Sequence, residues 1–352
     1  MKRILIVLLF IALIAPLGLM ASGKTESGSS MPQGMVDTSK FKAAGPWAVA
    51  RAGLGDTNAW MTMFGLHFKY GIEEKYAADF KSFKVTACFW NPVQQITDIE
   101  GLVAQKPNLL FVDPASEAAL VGAVEETYDR GIPVVLASTG VNTDKYTTWV
   151  SRNNTKAGYL YADWMGKKLN GKGKVVALMG IAGSSYAEDV LRGVKQGLSK
   201  YPGIELVDTA YCDWSPVKAK STMEAFIQSH PVIDGILADG GQMALGAVEA
   251  LLDAGKTIPP ITADDWNGWL RIAKEHNITF VAESGGAPLA LTAVELARKI
   301  LRGEPVPKIV EYPMVSFEQD QLDKYYRPDL NDQYFAINDL PEAWIKKYYA
   351  KK

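Results

Sequence analysis

WAVARAGLGDTNAWMTMFGLHF, residues 47–68, opens as an apolar run, breaks at Gly53-Leu54-Gly55-Asp56-Thr57-Asn58, and resumes with aromatics at helical spacing. Trp60, Phe64 and Phe68 are continued by Ile72 and Tyr76, which is one face of a helix rather than the alternation of a strand. A strand, a glycine-containing turn and a helix in that order predict an α/β sheet. Such sheets hold their ligands at the carboxyl ends of the strands. The turn, with Asn58, Trp60 and Met61 just past the strand, is therefore the expected start of a binding site.

Outward from this stretch the pattern repeats. Strands are expected at residues 83–89, 109–113 and 132–137, with Asn91-Pro92 opening one helix and Ser116 capping another over 117–130. The runs at 109–113 and 132–137 are continuously apolar, as in a parallel sheet covered on both faces. The pattern restarts after a boundary near 149–154. Helices are expected at 158–169, 186–200, 216–229 and 242–254, and strands at 174–179, 204–210, 234–238, 261–264 and 278–282. The fold class is α/β, with two doubly wound, Rossmann-like parallel-sheet lobes and a ligand cleft between them. A helix over 288–301 follows a lobe that is already complete, so it is expected to return to the first one. The aromatic tail from Tyr325 to Tyr349 is expected to pack against a lobe.

A chain of 352 residues is long enough for two such cores. Its net charge of −2 carries no basic excess for a nucleic-acid partner. Residues 1–23 read as a cleaved signal peptide: Lys2-Arg3, an apolar run over 4–14, and Ala21-Ser22-Gly23 at the cleavage site. Residues 24–45 read as a flexible leader, 46–150 plus 285–308 as the N-terminal lobe, and 151–284 plus 309–352 as the C-terminal lobe and tail. With no cysteine near the cleavage site, a lipid anchor is not expected, and the mature chain is expected in the periplasm as a monomer. GLMASGKT, 18–25, fits a phosphate-loop pattern only by coincidence, since it follows a signal core and leads into no helix. Cys88 and Cys212 fall in different lobes and are expected as small buried thiols. The three histidines are scattered, so no zinc site and no cofactor are expected.

No catalytic constellation stands out. Gly53-Leu54-Gly55 lacks the third glycine of a dinucleotide fingerprint, and there is no G-x-S-x-G elbow. What recurs is an aromatic or polar residue just past each strand. Trp90 and Asn91 follow the second, Ser138 and Thr139 the fourth, and Trp149, Arg152 and Asn153 stand at the lobe boundary. In the second half come Glu188, Trp214, Asp239, Asp264 with Asp265 and Trp266, and Glu283. Flat rings cover C–H faces, and carboxylates and amides bind pairs of hydroxyls, so the set suits a small polyhydroxy ligand. Structural roles stand beside these readings: Trp60 as a staple between helix and sheet, Asp264 as a helix cap, Glu188 as a solvated helix residue.

These residues resemble the periplasmic sugar-binding proteins of the ribose-binding type, the substrate receptors of bacterial ABC importers. The resemblance runs from about Trp47 to Pro313. It is carried by DIEGLVAQKPNLLFVDPASEAALVGAVEETYDRGIPVVLAS (98–138), NNTKAGYLYADWM (153–165), GSSYAEDVLRGVKQGLSKYPGIELV (183–207), GQMALGAVEALLDAGK (241–256) and AVELARKILRGEPVP (293–307). It implies two lobes joined by a three-segment hinge, with crossings near 149–153, 283–285 and 306–313, and a ligand held as the lobes close. The family's asparagine and aromatic after the first strand fall on Asn58, Trp60 and Met61, its later aromatic on Trp214, its strand-end aspartate on Asp264, and its hinge glutamine on Glu283. Three positions depart. The family's Asp-Arg pair reads Ser138-Thr139, its arginine beyond G-[ST]-S reads Glu188, and its asparagine or aspartate before M-A-L-G is replaced by Gly240 or Gly241. Arg152 is the candidate replacement for the lost arginine. The resemblance implies a receptor that delivers a monosaccharide-like ligand to a membrane permease, with a chemoreceptor as a further partner. A receptor for a polyol, an amino sugar or a small signalling molecule is the first alternative, and a doubly wound enzyme the second.

Overall fold

The computed structural model describes residues 33–351. The expected signal peptide and the first part of the leader lie outside the described residues. In chain order come β1 (Met35–Val36), β2 (Trp47–Gly53), α1 (Ala59–Tyr70), β3 (Phe80–Ala87), α2 (Pro92–Val103), β4 (Leu109–Val112), α3 (Val121–Asp129), β5 (Val134–Ala137) and β6 (Thr148–Ser151). There follow α4 (Asn154–Lys168), β7 (Lys172–Met179), α5 (Ser185–Leu198), β8 (Gly203–Tyr211), α6 (Pro216–Ser229), β9 (Gly235–Ala238), α7 (Gly241–Asp253), β10 (Ile261–Asp264), α8 (Asn267–Glu275) and β11 (Phe280–Glu283). The chain ends with α9 (Leu289–Arg302), β12 (Val306–Pro307), β13 (Ile309–Glu311), β14 (Ser316–Glu318), α10 (Leu322–Tyr325) and α11 (Glu342–Tyr349).

The two large sheets have the orders β13-β6-β5-β4-β2-β3 and β14-β11-β10-β9-β7-β8, the same winding twice. All pairings within them are parallel except β14, which runs antiparallel to β11. β4, β5, β9, β10 and β11 are buried throughout, as their continuous apolar runs require. Helix starts are fixed locally. The side chains of Asn58, Asn91, Ser184 and Ser215 each accept a hydrogen bond from the first turn of α1, α2, α5 and α6. α9 returns to the first lobe and packs on α1, β5 and β6, as expected of a helix left without room in a finished second lobe. The chain thus crosses between lobes after β6, after β11 and between β13 and β14.

Five expectations are corrected. β6 was expected as a boundary, yet it is a strand held between β5 and β13; four residues are too few for a period to be read. Ile309–Glu311 belongs to the first sheet rather than the second lobe, so the third crossing lies beyond Glu311. The leader packs from Met35 on: β1 pairs with β12, Thr38 donates to the Glu304 carbonyl at 2.6 Å, and Phe41 is buried against Tyr128. α3 begins at Val121 rather than at Glu117, and α4 at Asn154, where Asn153 supplies the cap. The tail touches both lobes. Asn267 on α8 donates to the carbonyls of Arg327, Leu330 and Asn331, while Trp344 packs edge-on against Tyr70 of α1 and the Asp339 amide donates to His67. Burial holds His67 neutral, down to about 4.

The first lobe also carries a buried polar cluster beneath its strand ends. Arg51 on β2 donates through Nε to both carboxylate oxygens of Asp113 at 3.1 Å, and its guanidinium lies over the rings of Phe64 and Phe68. Gln95 donates to the carbonyls of Ala52 and Asp113 and accepts from the Ala115 amide. Cys88 and Cys212 are free and buried.

Candidate functional site

A cavity of about 590 Å³ lies between the strand ends of the two lobes. The first lobe lines it with Asn58, Trp60 and Met61 from the start of α1, with Trp90 after β3, and with Ser138 after β5. The second lobe lines it with Arg152, Trp214, Asp239 and Asp264. These nine are the sequence-expected site residues that the structure brings to one wall. Trp60 also ties the lobe to the hinge: its indole N–H donates to the Gly285 carbonyl at 2.5 Å, and its ring stacks on Phe64.

Trp90 and Trp214 are placed by the same local device. ACFWNPV (87–93) and YCDWSPV (211–217) occupy the corresponding turn of each lobe, after the edge strands β3 and β8. In both, the residue before the tryptophan and the tryptophan itself have positive φ: Phe89 at 49° and Trp90 at 65°, Asp213 at 55° and Trp214 at 50°. Two successive left-handed residues are uncommon for bulky side chains. They reverse the chain before the capped proline helix and turn each indole into the cleft. Trp214 lies so close over Gly180 that a β-carbon there would stand 2.1 Å from its ring. This shared C-x-W-x-P-V pattern was legible in the sequence and went unread.

Five expected residues do not line the cavity. Asn91 is spent as the cap of α2. The Trp149 indole N–H donates to the Ser138 carbonyl, which fixes that strand end from behind. Glu188 accepts from the Gly183 amide and the Tyr211 hydroxyl and so shapes the turn before α5. Trp266 is buried, with its backbone bridged to Phe335. Glu283 is fully buried and paired with Arg152 at 2.9 Å. In exchange the cavity takes Ser116, Glu117, Asn142, Asn154, Tyr186 and Gln242 from loops and helix starts, and Phe335 from the tail. Nothing in the local pattern marks Phe335, since it arrives only because the tail folds back over α8.

Arg152 is the cation of the wall and is held by four partners. It donates to Asn154, to the Ser284 carbonyl, to the Tyr186 hydroxyl and to Glu283. Its link to Glu283 and Ser284 ties the first hinge crossing to the second. Burial pushes Glu283 up to about 7 in spite of Arg152 beside it. Burial likewise pushes Asp239 up to about 7 and Asp264 well above the ordinary carboxylate range, with the neighbouring charge of Asp265 adding to the latter. Asp265, raised to about 6 by burial, is held by the amides of Gly285 and Ile337. Among the described residues no group of three or more histidine, cysteine or acidic side chains is arranged to hold a metal ion.

Comparisons with known proteins agree with this arrangement. A family model described as a periplasmic binding protein domain matches residues 54–305. The ribose import binding protein RbsB of Bacillus subtilis (strain 168) is 28% identical over 251 residues, 71% of this chain and 82% of that protein. A xylitol-binding protein of Mycolicibacterium smegmatis is 27% identical over 231 residues, 65% of this chain and 66% of that protein. A solved Mycobacterium smegmatis structure in complex with β-D-fucofuranose superposes with a TM-score of 0.72 at 27% identity, covering 78% of this chain and 92% of that one.

Proposed function

The chain belongs to the periplasmic binding protein family, and on that premise we propose that it is the solute receptor of an ABC importer. It captures a monosaccharide-like or polyol ligand in the cleft, closes over it, and hands it to a membrane permease. The observation that carries this reading is the cavity wall: the first lobe supplies Trp60 and Trp90, the second Trp214, and each a set of polar side chains, so a ligand is complete in its contacts only when both lobes hold it. Closure is then a population shift, because the ligand bridges both lobes in the closed state and only one in the open state. Asn58, Trp60, Met61, Trp90, Ser138, Arg152, Trp214, Asp239 and Asp264 are the proposed contacts. The relatives named for ribose import and xylitol binding support a polyhydroxy ligand. They are binding proteins rather than enzymes, and this chain is read in the same way. Its place is the periplasm, reached through cleavage after residues 1–23, with the permease as its partner.

The test is a thermal-shift screen over sugars and polyols, followed by calorimetry on each hit. A ligand that binds only the native state raises its melting temperature. Small-angle scattering of the same protein is expected to show a smaller radius of gyration when a hit is bound. A screen without any shift, or binding without compaction, would count against the receptor reading.

A further inference from the structure

The two lobes repeat one winding, so their strand ends can be compared residue by residue. Asp113 directly follows β4 and Asp239 directly follows β9, the corresponding strand. In the first sheet Arg51 stands opposite Phe111, two residues before Asp113. In the second sheet Ala177 stands opposite Leu237, two residues before Asp239. The register therefore puts Ala177 where the first lobe has Arg51. One strand-end aspartate has a buried guanidinium of its own, and its counterpart has a methyl group.

Asp239 is only 1% exposed. Its Oδ2 accepts from the Gly180 amide at 2.8 Å, while its Oδ1 is buried without a hydrogen-bond partner. The Trp214 indole stands near enough to the carboxylate to favour its charged form, yet Oδ1 has no hydrogen-bond partner. Asp264 is arranged similarly but less enclosed: Oδ1 accepts from the amides of Gly241 and Trp266, and among the described residues no group donates to Oδ2. That Oδ2 and the Gln242 side-chain oxygen lie 3.3 and 3.4 Å from where a β-carbon on Gly240 would be. Gly240, next to Asp239, has extended backbone and carries no side chain over these acceptors, and the Met243 methyl stands beside them, 3.1 Å from the same point. The wall's one arginine, Arg152, is already neutralised by Glu283. Among the described residues the second jaw thus presents two carboxyl groups, each with one oxygen that accepts no protein hydrogen bond, and its one nearby cation, Arg152, is shared with Glu283. A buried carboxylate left so is costly unless a cation or a donor arrives.

We infer that the cleft takes a polyhydroxy ligand bearing an ammonium group, with the ammonium seated between Asp239 and Asp264 beside Gly240. This rests on the receptor reading above and narrows it. An ammonium has three N–H donors and no acceptor, which matches a corner made of acceptor oxygens. The rings of Trp90 and Trp214 cover the rest of the ligand, and a cation beside an indole face gains further. The raised value of Asp239 means that binding the cation releases a proton from the site. Arg152, Glu283, Asp264, Asp265, Tyr161 and Tyr186 face the same corner from the hinge, β10, β11, α4 and α5 and take part in that titration.

The experiment is calorimetry on the full mature protein with matched pairs: D-glucose and D-glucosamine, D-galactose and D-galactosamine, ribitol and its terminal amine analogue. In every pair that binds, the amine is expected to bind at least about tenfold tighter, as a charge-assisted hydrogen bond allows. Its affinity falls as pH is lowered from about 7 to 5, where the amine stays protonated while Asp239 takes up a proton. Asp239→Asn keeps an oxygen for the Gly180 amide, so the fold is retained, and it is expected to bring the two members of a pair close to equal affinity. Equal or tighter binding of the neutral members overturns the inference and leaves the receptor reading standing. An unchanged preference in Asp239→Asn removes the ammonium from this corner. Failure of every compound, charged or neutral, to bind removes both.

Discussion

The two lobes share a winding and differ in how they settle their buried charge. In the first, Arg51, Asp113 and Gln95 satisfy one another beneath two phenylalanine rings, with Arg51 and Asp113 side chains 7% and 1% exposed. In the second, Asp239 accepts from one backbone amide and Asp264 from two, each through one oxygen, and among the described residues no group donates to the other oxygen. The first lobe spends Arg51 and Asp113 on its own rigidity and lines the cavity with Asn58, Ser116, Ser138 and Asn142 beside Glu117. The second keeps buried carboxyl groups that burial pushes above their ordinary range. Part of the difference is one exchange, Arg51 on β2 for Ala177 on β7, the strand next to the edge in each sheet.

Breaking the settled side costs most. Arg51→Met leaves Asp113 buried and unpaired and is expected to destabilise the protein by about 3–5 kcal/mol, read as a fall in the denaturation midpoint. Asp239→Asn, by contrast, is expected to leave the ligand-free protein at pH 8 as stable as the parent or more so. A larger loss in Asp239→Asn than in Arg51→Met would reverse the comparison.

Next in size is the loss of an indole. Trp214→Ala and Trp90→Ala are each expected to weaken ligand binding by roughly tenfold to a hundredfold, on the order of 1.5–3 kcal/mol, without unfolding the protein. Calorimetry on both variants measures how evenly the two jaws share the ligand, and unchanged affinity in either removes that indole from the site.

The pH dependence of the ligand-free protein is a smaller effect with a definite sign. Asp239 and Glu283, at about 7, and Asp265, at about 6, lie above the ordinary carboxylate value in the folded state. A carboxyl raised on folding contributes stability that is fully present below its unfolded value near ~4 and is lost as pH rises through its folded value. The melting temperature is therefore expected to rise as pH is lowered from about 8 to about 5, and Asp239→Asn to flatten that rise. The smallest effect concerns the rims. Val93 and Val217, 72% and 80% exposed at the starts of α2 and α6, are expected to tolerate Ser within about 0.5 kcal/mol, which denaturant titration can read.

Much of this molecule was legible without coordinates. Continuous apolar runs and capped helices are local signals, so most strands and helices were located, and the strand-end rule brought nine of the expected residues to one cavity. What escaped were features whose partners are distant in sequence. Thr148–Ser151 is a strand because Val134–Ala137 and Ile309–Glu311 flank it. Glu283 was expected at the ligand, but it sits beneath the wall with Arg152. The leader was expected to be loose, yet Phe41 and Thr38 find a surface made by α3 and by the turn after α9.

The sequence by itself determined the α/β class, the two-lobe division, the caps, and the aromatic and acidic character of the strand ends, because period, capping and turn chemistry act over a few residues. Only the tertiary structure decided which of those strand-end groups face one another and which are already satisfied. Asp113 and Asp239 read alike along the chain. Whether each has a counter-cation depends on the register of a neighbouring strand some sixty residues away, Arg51 in one case and Ala177 in the other.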